Sequence, residues 1–225
     1  MSKSILRLQD PTDPDSAYLL ETLLERAVAA RYGGAAFAWA TEAGVRLLIR
    51  DTVFERFLKK YPFDLIVGVD TTTTPEALVA LKDAERDLKG LRVLVFISPS
   101  NASLFHPKMS WFGEPDGGSL VVGSGNLTGA GLRQNWEAYA LCPLSVSETA
   151  ELKGQWEAWT KTHQSRLHAL LNPLLNPLLK ARGVVQMHGA RSAGMASPCQ
   201  AEGNAAAARL APFSGQRSRV NTDRS

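Results

Sequence analysis

Phe105-His106-Pro107-Lys108, then Val122-Gly123-Ser124-Gly125-Asn126-Leu127-Thr128, then Asn135-Trp136-Glu137 are the stretches that decide how this chain folds and works. A histidine and a lysine two residues apart on a strand point the same way. Ser124 and Asn126 repeat that spacing on the next apolar stretch. The pattern gathers a nucleophile, a cation and two neutral hydrogen-bonding side chains around one small volume, a phosphate site with no metal among its members. Leu104, Lys108 and Ser110 are expected to face with His106, while Phe105, Pro107, Met109 and Trp111 turn to a core. Leu120, Val122 and Ser124 share a face of the next strand, and Asn126 carries that phase into a Gly-rich turn. Glycines 123 and 125 let the backbone come close to a ligand there. The hairpin between the strands is expected to bring both sets together. Glu137, on a third strand, is expected to accept a hydrogen bond from one nitrogen of His106.

Upstream, helices alternate with buried strands. Asp15 to Tyr32 has helical spacing, with Asp15 or Ser16 as N-cap and Gly33-Gly34 as the stop. Ala35 to Trp39 reads as a short buried strand. Thr41 to Lys60 returns to a helical period, ending before Pro62. Phe63 to Val69 and Leu91 to Ile97 read as buried strands. Between them Pro75 opens a helix that runs through Glu76 to Leu88 and that Gly90 closes. Leu104 to Phe112, Ser119 to Gly123 and Arg133 to Leu141 read as three successive strands, with Glu114-Pro115-Asp116-Gly117-Gly118 as hairpin loop. A long helix begins near Ser147 and passes Trp156, Trp159 and His163, with Pro173 and Pro177 interrupting its later part. The alternation predicts an α/β fold.

At 225 residues with 44% hydrophobic and 21% charged side chains, the chain reads as an ordinary globular domain with an appendage. Cys142 and Cys199 do not make a disulfide framework, and a cytoplasmic location is expected. The N-terminus shows no signal peptide, and no segment is apolar for long enough to anchor the chain in a bilayer. From Lys180 onward seven basic residues face two acidic ones, so the total of +3 less this +5 leaves −2 for the residues before Lys180. Residues 1–182 are therefore expected to form the domain, and 183–225, rich in Ala, Gly, Ser, Arg and Gln, a disordered basic tail.

The order His-x-Lys, Gly-Ser-x-Asn-x-Thr and a downstream Glu resembles the phospholipase D superfamily. Phe105-His-Pro-Lys, Val122-Gly-Ser-Gly-Asn-Leu-Thr and Asn135-Trp-Glu are most similar to its nuclease branch, which includes metal-independent endonucleases and catalytic domains of restriction and helicase-associated enzymes. The resemblance spans roughly Gly33 to Leu170, including Gly68-Val-Asp and Thr71-Thr-Thr-Thr-Pro-Glu-Ala-Leu. It implies a phospholipase D-like mixed sheet flanked by helices. The aspartate that the full signature carries shortly after the lysine is replaced here by Gly113, and Asp116 falls too late for the role; this departure points away from lipid hydrolysis.

By the same resemblance, His106 attacks phosphorus, Lys108 and Asn126 hold the non-bridging oxygens, and Glu137 orients the imidazole. Ser124 and Thr128 are candidate substrate contacts. For Ser124 the competing role is capping the loop, and for Thr128 holding the Gly-rich turn; for Glu137 it is a plain salt bridge. Neither metal nor cofactor is implied. A second histidine is needed to protonate the leaving oxygen. His163, His168 and His188 lack the motif, so a homodimer sharing one site is expected. The expected substrate is nucleic acid, DNA ahead of RNA, with a helicase or restriction system as the conceivable partner. A phospholipase or phosphatidyltransferase, and a non-catalytic nucleic-acid-binding module, are the alternatives.

Overall fold

The computed structural model describes residues 3–69, 72–99 and 103–172. In chain order the elements are β1 (Ile5–Gln9), α1 (Leu19–Ala29), β2 (Tyr32–Phe37), α2 (Glu42–Leu48), α3 (Thr52–Leu58), β3 (Phe63–Gly68), α4 (Pro75–Asp87) and β4 (Leu91–Phe96). After these come β5 (Lys108–Glu114), β6 (Gly117–Gly123), a π-helical turn (Ala130–Gln134), β7 (Glu137–Leu144), α5 (Val146–Thr162) and β8 (Leu167–Ala169). Among the described residues the strands form one sheet in the order β1-β7-β6-β5-β2-β3-β4-β8. The β2-β3-β4 centre is parallel and every other pairing antiparallel. The expected α/β mixed sheet flanked by helices is the fold observed. Asp70, Thr71, the Pro173/Pro177 segment, His188 and the tail from residue 183 lie outside the described residues.

Each sheet face buries its own core. On one face Leu23 of α1, Val45 of α2, Phe54 of α3 and Leu81 of α4 pack on Phe37, Leu65, Val93 and Phe112. Burying side chains of this size is worth about 1.5–3 kcal/mol each. The other face is covered by α5, whose Trp156 packs with Trp111, Ala36, Ile66 and Phe105. Ser145 and Glu148 close a capping box at the start of α5, one residue earlier than the expected opening.

Several elements differ from their sequence expectation. Gly33-Gly34 do not stop α1 but run inside β2, because a Cβ on Gly33 would lie 2.5 Å from the Trp111 carbonyl oxygen. Neither Asp15 nor Ser16 caps α1; Ser16 Oγ accepts from Asp10 N, and the first helical N–H, from Leu19, goes to Gln9 Oε1 at 2.8 Å. The long helix expected over Thr41–Lys60 is two, because Asp51 accepts from Val53 N at 2.8 Å and caps α3. β5 starts at Lys108, not at Leu104: Pro107 has no N–H, and its carbonyl accepting from Ala38 N is the last link. β7 starts at Glu137 because the preceding residues wind into the π turn, closed by Asn135 N to Ala130 O at 2.8 Å. The edge strands β1 and β8 are additions that the sequence pattern does not mark.

Gly44 lets α2 seat against the loop after β6: a Cβ there would fall 2.1 Å from the Leu127 oxygen, which already accepts from Thr41 N at 3.0 Å. Gly44→Ala is expected to destabilise the protein by about 1–3 kcal/mol despite alanine's better helix propensity. Urea denaturation reads this, and an unchanged or raised midpoint contradicts it.

Candidate active site

Four chain segments meet at one end of the sheet, beyond the carboxyl ends of β2 and β3. These are the end of β2, the start of β5, the end of β6 and the start of β7. In open α/β sheets this is where ligand crevices form. His106, just ahead of β5, is exposed, while Lys108, its first residue, is half-buried. The extended backbone around Pro107 keeps both side chains together, and Lys108 Nζ lies 3.0 Å from each imidazole nitrogen and 3.2 Å from the His106 carbonyl. Equal distances to the two nitrogens set the ammonium over the ring rather than in line with either one.

Trp39 ties the parts together. Its ring packs edge-on against His106 at 5.2 Å, and Lys108 Nζ stands 5.6 Å from its centroid. Its backbone N–H donates to Asn126 Oδ1 at 3.2 Å, and its carbonyl accepts from Leu127 N at 3.1 Å. Asn126 is thus buried with its oxygen engaged, which leaves the amide NH2 as the donor for a ligand oxygen. Sequence reasoning marks Trp39 only as a strand end. The signal that singles it out is its place just past the carboxyl end of a parallel strand.

Glu137 is not bonded to His106 in this chain. Its Oε2 accepts from Ser124 Oγ and its Oε1 from Asn135 Nδ2 at 3.1 Å. Ser124 is also out of phase with Lys108. The register sets Met109 opposite Val122, so Val122 and Ser124 belong by alternation to the face of α5. The turn after Gly123 brings its hydroxyl to Glu137 and to Ala138 N at 3.1 Å. Ser124 therefore holds the acid in place. Thr128 Oγ1 accepts from Gly131 N at 2.9 Å, the turn-holding role. Gln9, unmarked by any sequence motif, is buried and donates to Asn135 O at 2.9 Å, steadying the Asn135–Glu137 corner.

Burial pulls the Lys108 ammonium below its ordinary value, and the negative charge of Glu137 opposes the shift. A partly desolvated cation beside a nucleophile and an amide donor is what an anionic phosphoryl group needs in its transition state. His163 caps α5 and stacks on Trp159, and His168 lies on β8, four strands from β5 and about 19 Å away at ordinary strand spacing. Asp116 sits in the hairpin loop at the far end of β5. Among the described residues no three His, Cys, Asp or Glu side chains converge as a metal cage requires, and no helix is long and apolar enough to cross a membrane.

No family model matches the chain, and no curated protein matches it in sequence. Solved structures do. Nuc from Salmonella typhimurium, a phospholipase D family member, superposes with a TM-score of 0.53 at 12% identity, over 74% of this chain and 98% of Nuc. NucT from Helicobacter pylori gives 0.51 at 12%, over 74% and 98%. Phosphatidylserine synthase from Haemophilus influenzae gives 0.50 at 12%, over 80% of this chain and 45% of the synthase. The fold is that of the phospholipase D superfamily, as the motifs implied.

A cation whose folded-state value is lowered loses its charge earlier as pH rises. Phosphate-ester affinity, read as inhibition by a non-cleavable analogue, is expected to fall on an alkaline limb below 10.5, the ordinary lysine value. A limb at or above that pH contradicts Lys108 as the anion's partner.

Proposed function

We propose that the protein is a metal-independent phosphodiesterase that cleaves nucleic acid, DNA ahead of RNA, at a site completed by a second copy of the chain. The observation that carries this reading is the His106–Lys108 pair at 3.0 Å, linked to Asn126 through Trp39. A nitrogen of His106 attacks phosphorus, and a P–N bond forms as the bond to the leaving oxygen breaks. Lys108 and the Asn126 amide take up charge on the non-bridging oxygens. The partner's His106 gives its proton to the leaving oxygen, then accepts one from the water that breaks the P–N bond. Glu137, held by Ser124 and Asn135, contributes its negative charge to the field around Lys108.

Two features support the shared site. The other described histidines lack a neighbouring lysine of the Lys108 kind: His163 stacks on Trp159 and His168 lies four strands from β5. Next to Ser124, the sheet face that α5 leaves uncovered is apolar: Leu6 and Leu8 of β1 are each 70% exposed, Val122 44% and Trp136 67%. The register places Leu6 opposite Ala140, itself opposite Val122, so these side chains share one face. An exposed apolar face of this kind marks an interaction surface, and we read it as the seat of the two-fold partner that the shared site requires.

A second reading is favoured by one observation. A groove of about 580 Å3 beside His106, lined by Leu104, Phe105, Met109 and Trp159, is mainly apolar and has room for an acyl chain or a glycerol backbone. Headgroup release from liposomes by a sample inactive on DNA and RNA would make the protein a lipid phosphodiesterase.

Plasmid and single-stranded DNA are expected to be cleaved in excess EDTA, with His106→Ala lowering the rate by at least about a hundredfold. Equal cleavage by the variant, or full inhibition by EDTA, overturns the mechanism. Leu8→Glu is expected to turn a dimer into a monomer in sedimentation and to lose activity with it. A fully active monomer removes the shared site.

A further inference from the structure

At the other end of the sheet lies a cavity of about 630 Å3, within the size range of small-molecule sites. It opens around the start of β2, at Tyr32 and Gly33, while Lys108 pairs with Phe37 at the end of that strand. The two places are about 17 Å apart along the sheet. The cavity belongs to no part of the site around His106.

Its lining is unusual for this protein. The residues before Lys180 net −2, yet Lys59, Lys60, Lys89, Arg92 and Lys153 all border this one cavity against only Asp64 and Glu157. Both carboxylates are engaged, Asp64 by Arg92 and Glu157 by Lys153, and Lys59 pairs with Glu55 outside the lining. Lys60 and Lys89 are exposed and paired with no carboxylate among the described residues. Backbone contacts fix their two loops to each other: Gly90 N donates to Leu58 O at 2.8 Å and Phe63 N to Gly90 O at 2.8 Å. A Cβ on Gly90 would lie 2.1 Å from the Tyr61 oxygen, so the loops approach as closely as backbone can. Two unneutralised ammonium groups are thereby set on one rim.

The floor is aromatic. Tyr32, Trp111 and Trp156 pack edge to face, with centroids 5.8 and 6.1 Å apart. The indole nitrogens of Trp111 and Trp156 are buried and hydrogen-bonded to no described residue, so these rings offer the cavity apolar surface rather than a donor. Cations that line one cavity with aromatic rings match an anion attached to a flat ring.

We propose that this cavity binds a nucleotide unit, its phosphate on Lys60 and Lys89 and its base against Tyr32 and Trp156. The unit is either a free nucleotide or one residue of a bound strand. In the second case the proposal rests on the nucleic-acid reading above.

The test uses the full chain carrying His106→Ala, so that no bound strand is cut, with and without Lys60→Gln and Lys89→Gln together. Adenosine monophosphate, inorganic phosphate and a labelled oligothymidylate are titrated separately. Removing both lysines is expected to weaken binding about tenfold and to flatten the salt dependence by about 0.7 per lost contact for a single strand. Loss for adenosine monophosphate assigns the site to a free nucleotide; loss for the oligothymidylate alone assigns it to a strand. Unchanged binding of both, or inorganic phosphate binding as tightly as the nucleotide, overturns the proposal. Adenosine monophosphate binding needs no cleavage, so its outcome is separable from failure of the nuclease reading. With His106 restored, the double lysine variant is expected to hydrolyse a small aryl phosphodiester at the unaltered rate.

Discussion

The backbone ladder between Trp39–Thr41 and Asn126–Leu127 is the constraint on which the site depends. Leu127 N bonds Trp39 O, Thr41 N bonds Leu127 O, and Trp39 N bonds the Asn126 side chain. These links join the end of a parallel strand to the loop after an antiparallel hairpin, two pieces of chain nearly ninety residues apart. They also occupy buried polar groups that are costly to leave unmade. Because the asparagine oxygen is spent on the scaffold, its orientation is fixed before any ligand arrives. Gly44, packed against the same loop, keeps α2 close enough to brace it.

Around that frame the charged groups are held by short, specific contacts. Lys108 is placed between an imidazole, an indole face and the field of Glu137, with part of its hydration removed. A cation held this way has more to gain from an incoming phosphoryl oxygen than one left in water. Ser124 and Asn135 hold Glu137 from both sides. The histidine, by contrast, is exposed, with its approach open to a ligand or a second subunit.

The two faces of the sheet are treated unequally. Helices α1 to α4 cover one face along its central strands, whereas α5 alone covers the other. It leaves the β1-β7-β6 corner bare beside the site and, at the far end, borders the basic cavity through Lys153 and Trp156. One helix thus sets where the apolar surface remains and where the positive charge collects.

Much of this is legible in residue order. The motif stretches around His106, Lys108, Asn126 and Glu137 are recognisable because short spacings on extended backbone constrain side-chain direction locally, and the central strands because buried parallel strands are continuous apolar runs. The α1 cap is not legible, since its partner, Gln9, comes from a strand that the sequence pattern does not mark. Nor is the true phase of Ser124, which depends on a hairpin register and a turn after Gly123. Trp39 and the Lys60–Lys89 rim are invisible for the same reason: each gathers residues far apart in the chain. By itself, then, the sequence determined the α/β class and marked His106, Lys108, Asn126 and Glu137 as the candidate site residues. The tertiary structure alone decided which of them meet, that Glu137 is held by Ser124 and Asn135, and where the unpaired charge lies, because hydrogen-bond partners and charge clusters are set by non-local packing.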